Sequence, residues 1–65
     1  MAALEKAIEI VGGRRQLAEQ LGCSSEAVRQ WLDRRIPAER VLDIERATGG
    51  KVTRYELRPD LYQPA

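Results

Sequence analysis

Residues 14–32 read RRQLAEQLGCSSEAVRQWL, and how this stretch is divided decides the fold. Leu17, Ala18 and Leu21 recur at helical spacing and predict a helix over Arg14–Leu21, with Gly13 as a plausible N-cap. Gly22 follows at once and can take the left-handed conformation that stops a helix. Ser24 then precedes Ser25, Glu26 and Ala27, so its hydroxyl can cap a further helix whose positive end Glu26 favours. That helix is predicted to run to about Asp33 and to bury Val28, Trp31 and Leu32. Two helices of about eight and nine residues, joined by so short a turn, must cross steeply, which is the helix-turn-helix. The spacing meets its demands in register. Ala18 is the small residue where the helices approach, and Gly22 sits four positions later in the turn. Val28 and Trp31 fasten the second helix, and Leu17, Leu21 and Cys23 complete the inner side.

Working outward, Leu4, Ala7, Ile8 and Val11 predict a first amphipathic helix over about Ala3–Val11, ended by Gly12 and Gly13. Downstream, DRRIP reads as a loop. Pro37 pushes Ile36 toward extended geometry and suits the first turn of a fourth helix, over about Pro37–Ala47. There Val41, Ile44 and Ala47 point inward and Leu42 is a candidate subunit contact, with Gly49 and Gly50 as the stop. In the tail, Thr53 can cap one turn over Arg54–Leu57, and Pro59 forbids a long continuation. Val52, Tyr55 and Leu57 also alternate weakly like a strand; the short helix is the preferred reading. The expectation is an all-α, four- to five-helix domain spanning residues 1–65. Its helix-turn-helix lies at about 14–33, and a tail at 51–65 is a candidate dimer-forming segment. No internal repeat or interdomain linker is visible.

At 65 residues such a domain is near the lower size at which one core folds unaided, so dimerisation would be a natural source of further burial. The single Cys23 excludes an intrachain disulfide and fits a reducing cytosol. With no His and one Cys, zinc sites and histidine catalysis have no material, and no cofactor is expected. No apolar run approaches the ~20 residues a bilayer requires and no signal peptide is visible, so the expectation is a soluble cytoplasmic protein without a membrane partner. Net charge is +1, but the charge is uneven: residues 14–40 hold six arginines against four acids, while residues 41–65 balance at four against four. A basic middle supports a nucleic-acid partner without establishing one.

The outward residues of the second helix of the pair carry the function. With Val28, Trp31 and Leu32 turned inward, Ser25, Glu26, Arg29 and Gln30 face outward or lie along the margins. A major groove admits such a helix. Arg29 can present its fork to guanine O6 and N7, Gln30 can pair with adenine, Glu26 can accept from cytosine N4, and Ser25 is permissive. The plainer alternative is an ordinary polar surface; the helix-turn-helix context is what favours base contact. Arg14 and Arg15, with Gln16 beside them, open the preceding helix, where exposed N–H groups favour an anion. Arginine there opposes the dipole, which tilts the reading toward phosphate. Arg34, Arg35 and Arg40 flank the far end. Arg34 and Arg35 are candidate phosphate contacts, and Arg40 is equally a partner for Glu39 or Asp43. Trp31 invites base stacking, but its helical position is that of a core residue.

The motifs LGxSxxAVxQW (21–31), IPAERVLxIE (36–45) and VTRxxLRPDLY (52–62) resemble the Cro repressors of temperate lambdoid phages, and equally the Cro-like antitoxin regulators of prophage regions. The similarity covers roughly residues 4–62. It implies a transcriptional repressor binding a palindromic double-stranded operator as a homodimer, with Ser25, Glu26, Arg29 and Gln30 at base-reading positions and Ser24 near a phosphate. The family commonly opens the second helix with Gln; here Arg14 stands there, and its guanidinium can make a similar phosphate contact. Arg29 replaces the smaller Ser often found at its position, so the operator sequence does not transfer. Candidate dimer residues are Leu57, Leu61 and Tyr62, with the fourth helix behind them.

Three rivals stand beside the repressor. An antitoxin regulator would also grip a toxin protein. An interaction module would use the scaffold without DNA, against which outward Arg29 and Gln30 argue. An enzyme is the weakest, since Glu26 and Asp33 share a surface with nothing to enclose them.

Overall fold

The protein is described here by a computed structural model over residues 2–63. Among these residues there are five helices and no strand: α1 Ala3–Val11, α2 Arg14–Leu21, α3 Ser25–Asp33, α4 Ala38–Ala47 and α5 Arg54–Leu57. The all-helical expectation holds, and the tail takes the capped turn rather than the strand. None of the helices is long and apolar enough to cross a membrane.

α2 lies at the centre, packed against α1, α3 and α4, while α5 closes the open side against α4 and α1. The core follows the apolar spacing. Leu4 and Ala7 come from α1, Leu17, Ala18 and Leu21 from α2, Val28 from α3, and Val41 and Ile44 from α4, joined by Ile36, Val52 and Leu57 from outside the longer helices. Ile8, Val11, Cys23, Trp31, Ala47 and Tyr62 are half-buried around it. Three expectations change. Leu32 remains 37% exposed, because its side of α3 faces an open groove rather than another helix. Trp31, expected to be buried, is only half-buried, because it too lines that groove. Leu57 is only 8% exposed and belongs to the chain's own core, so of the tail candidates Leu61 is the apolar side chain left exposed.

The turn between α2 and α3 is set by Gly22, at φ 74°, whose N–H and that of Cys23 close onto the last carbonyls of α2. A side chain at Gly22 would meet nothing within 4 Å, so the demand there is purely one of backbone angle. Ser24 caps α3 as expected, its Oγ accepting from the Ala27 N–H at 3.1 Å.

Three polar links tie the later chain down. Arg40 Nη1 donates to the Leu21 carbonyl at 2.8 Å, satisfying a terminal acceptor of α2 from α4. This differs from both readings of Arg40, as a phosphate contact and as a partner for Glu39 or Asp43. Thr48 is buried, its hydroxyl donating to the Glu45 carbonyl at 2.9 Å and accepting from the Val52 N–H at 3.2 Å, which turns Val52 inward. The third link is α5, which begins with a capping box between Thr53 and Glu56 and is fastened to α4 by Arg54, whose N–H and guanidinium both reach Glu45.

Candidate nucleic-acid interface

α2 and α3 present their first turns to a common groove of about 350 Å³, lined by Arg14, Arg15, Gln16, Ser25, Glu26 and Arg29. Six of the ten residues singled out in the sequence are therefore brought together: three candidate phosphate contacts on one wall and three candidate base readers on the other.

The α2 wall is anion-seeking in two ways. Its helix starts at Gly13 without a side-chain cap and carries no acid in its first turn, so the leading N–H groups lack the neutralisation that α3 has from Ser24 and Glu26. Arg14 has no ion-pair partner among the described residues, and Arg15 reaches only the exposed Glu19, at 3.5 Å. Gly13 holds φ 135°, and a Cβ there would stand 2.8 Å from Gln16 Oε1, so the Gln16 amide lies folded over the helix start. Nothing larger than glycine fits beneath it without displacing that amide.

The α3 wall is more acidic than its sequence suggests at first sight. Arg29 lies between Glu26 and Asp33, one turn away on either side. Its Nε donates to both Glu26 oxygens at 3.1 and 3.0 Å, its Nη2 donates to Oε1 at 2.5 Å, and its Nη1 donates to Asp33 Oδ2 at 3.3 Å. The Glu26 carboxyl is held below its ordinary value, chiefly by the Arg29 hydrogen bond, with the charges of Arg29 and Arg14 acting the same way against desolvation. Arg29 is correspondingly raised, first by that hydrogen bond and then by the Glu26 charge. All three side chains stay largely in solvent, with Arg29 47% exposed. Its guanidinium is thus outside the subunit interior and open to a ligand. Gln30 is also exposed, as is Ser24, whose hydroxyl oxygen is used by the cap while its hydrogen remains a donor.

Arg34 and Arg35 lie apart from this groove. They line a second one, of about 560 Å³, between the end of α3, the start of α1 and the tail, together with Trp31, Leu32 and Arg58. Arg35 faces Asp60 at 3.6 Å; Arg34 has no ion-pair partner among the described residues. The candidate phosphate contacts accordingly fall into two groups, one at each end of α3. Reading residues singly missed the bracketing of Arg29. The spacing of Glu26, Arg29 and Asp33, three and then four apart, was the signal for it.

Comparison with known proteins finds a family, a relative and a solved structure similar to this chain. The family model described as "Bacterial toxin YdaS" matches residues 4–65. A protein of Escherichia coli (strain K12) named "Putative transcriptional regulator YdaS" is 46% identical over 61 residues, covering 91% of this chain and 62% of that protein. The chain therefore spans about three-fifths of the length of that relative. Among solved structures, the "Cro protein from putative prophage element Xfaso 1 in Xylella fastidiosa strain Ann-1" superposes with a TM-score of 0.95 and 45% identity, covering 98% of this chain and 100% of that one.

Proposed function

Because the chain belongs to the family described as bacterial toxin YdaS, and shares its fold with a prophage Cro protein, we propose that it is a sequence-specific double-stranded DNA-binding transcriptional regulator. It would act as a repressor of the Cro type, as a homodimer on a palindromic operator. The observation that carries this reading is the groove in which an uncapped, arginine-led helix start faces the outward edge of α3. An anion-seeking wall and a hydrogen-bonding wall side by side are what a duplex requires, phosphate contacts to fix the register and base edges to be read.

In this mechanism α3 enters the major groove with Ser25, Glu26, Arg29 and Gln30 on its base-facing edge, while Arg14, Arg15, Gln16 and Ser24 hold one stretch of backbone and Arg34 and Arg35 another. Repression is by occupancy of a site overlapping a promoter, and no bond is made or broken. Two-fold symmetry sets the half-sites about one helical turn, ~34 Å, apart. Exposed Leu61, with half-buried Leu42 and Tyr62, is the candidate dimer surface.

Selection of bound duplexes from a random pool is the direct test. The expected result is a palindrome whose half-sites have that spacing. On the selected duplex Arg29→Ala should lose ~10–100-fold in discrimination at one base pair per half-site. Arg14→Ala should weaken selected and random duplexes alike and flatten the salt dependence by about one unit per lost phosphate contact. Retention of no sequence, or a salt-independent binding constant, would defeat the reading.

The family's description as a toxin links it to toxin systems, where a second reading applies, that of an antitoxin-type autoregulator which also grips a toxin protein. A stoichiometric complex with the product of an adjacent gene, accompanied by relief of growth arrest, would establish it.

A further inference from the structure

Resting on that DNA-binding reading, we propose that Glu26 and Asp33 are positioning residues for Arg29. They leave one edge of its guanidinium free for a guanine and bar the same group from the phosphate backbone. Glu26 thereby becomes a determinant of specificity without itself reading a base.

The first argument is geometric. A guanidinium carries five N–H groups, one on Nε and two on each terminal nitrogen. Glu26 lies side-on, taking the Nε–H and an Nη2–H, with distances of 3.0 Å to Oε2 and 2.5 Å to Oε1. Asp33 takes one hydrogen of Nη1 at 3.3 Å. What remains is one N–H on each terminal nitrogen. The end-on edge between the two terminal nitrogens, which the side-on Glu26 leaves untouched, suits O6 and N7 of a single guanine. The side-on edge, the other way an arginine can grip a base or a phosphate, is already filled.

The second argument is electrostatic. Glu26, Arg29 and Asp33 together carry a net negative charge on the exposed stripe of α3. A phosphate approaching Arg29 brings a further full negative charge against two carboxylates, whereas a guanine edge brings two neutral acceptors. The same guanidinium therefore discriminates between the two features of a duplex that attract arginine. Phosphate binding is left to the opposite wall, where α2 starts uncapped with no acid of its own in the first turn and the facing Glu26 is already paired with Arg29.

The third argument is economy of role. Every hydrogen-bond partner of Arg29 lies on its own helix, three or four residues away. An exposed pair of that kind is worth little to an assembled fold. Two acids converging on one cation at the centre of the candidate reading edge gain their meaning from what they do to that cation.

The test uses the intact chain, a fluorescent duplex carrying the selected operator and a scrambled duplex of equal composition, titrated across a potassium chloride series. Glu26→Gln, Asp33→Asn and the double variant keep side-chain size and remove the charges. The expected result is roughly tenfold tighter binding to the scrambled duplex. Log affinity against log salt should steepen by about one unit per subunit, as Arg29 acquires a phosphate. Operator preference over scrambled DNA should fall by about tenfold. In free protein, the Arg29 Nε–H resonance should be slowed in exchange by Glu26 and lose that protection in Glu26→Gln; this reads the clamp without DNA.

Two results would overturn the proposal. Glu26→Gln could change the preferred base at a position other than that of Arg29 while leaving scrambled binding and the salt slope alone, which makes Glu26 a reader. Or the Nε–H could exchange equally fast in both proteins, which removes the clamp. If wild-type protein retains no sequence while its Nε–H stays protected, the clamp exists but the DNA-binding reading fails, and this use of it fails too.

Discussion

Arg58 in the tail donates to Asp60 at 2.9 and 2.6 Å, as closely as Arg29 on α3 donates to Glu26, yet the two arginines serve different ends. Arg58 also crosses 22 positions of sequence to donate from Nη1 to the Ile36 carbonyl at 2.6 Å, and its side chain is only 13% exposed. Nearby, Arg54 reaches back to Glu45 on α4 and lies 5.9 Å from the Tyr62 ring centre. The tail arginines join distant segments, whereas Arg29 joins nothing but consecutive turns of its own helix. The lesson is that how far along the chain an arginine's most distant partner lies says more about its purpose than how closely it is held. Long reach closes the fold, and short reach on an exposed face leaves the group available for a partner.

The comparison breaks most easily at Leu57. If the tail is part of the fold, Leu57→Ala should destabilise the protein by ~2–5 kcal/mol, enough to leave a domain of this size largely unfolded at ordinary temperature. A melting curve by circular dichroism decides it, and an unchanged midpoint would mean that the tail is an appendage. A smaller effect sharpens the contrast between the arginines. Arg58→Gln should lower the melting temperature because the Ile36 carbonyl loses its donor, while Arg29→Gln melts close to the wild type. Equal losses would erase the distinction.

The smallest effect is in acid. The Asp60 carboxyl is drawn from its ordinary 3.8 down to about 2, first by the Arg58 hydrogen bond, then by a backbone hydrogen bond and the charges of Arg58 and Arg35, against desolvation. Because the unfolded chain takes up this proton first, the contribution is complete above pH 3.8 and is lost as pH falls toward 2. Thermal melts between pH 5 and 2 should show that loss in wild type and less of it in Asp60→Asn. A carboxyl resonance titrating at its ordinary value would remove the link.

The helices were legible in the sequence because their starts and stops are local. Gly12–Gly13, Gly22, Ser24 and Thr53 each act on backbone within four positions, and all lie at helix boundaries in the structure. Less legible was anything a long side chain does at a distance. Neither Arg40 bonding the end of α2 nor Arg58 bonding Ile36 leaves a mark on the residues beside it. Leu32 looked inward because it follows Val28 by four, but periodicity gives a direction and not a neighbour, and that side opens on a groove. Leu57 erred the other way, as a tail residue read for a partner and found between α1 and α4. At the candidate interface the residue types and their grouping at the starts of α2 and α3 were visible. Their mutual pairing is written only in the three- and four-residue spacing of Glu26, Arg29 and Asp33, which no one side chain reveals by itself.

The groove that Leu57 and Arg58 close is also lined by Trp31, half-buried and the sole tryptophan of the chain. The molecule therefore carries its own optical gauge. Undocking of residues 51–63 would let water reach the indole, shifting its emission to longer wavelength without any attached dye. Tail movement can thus be timed by light in the unmodified protein, and titrating duplex into the same cuvette would show whether occupying one end of α3 is felt at the other.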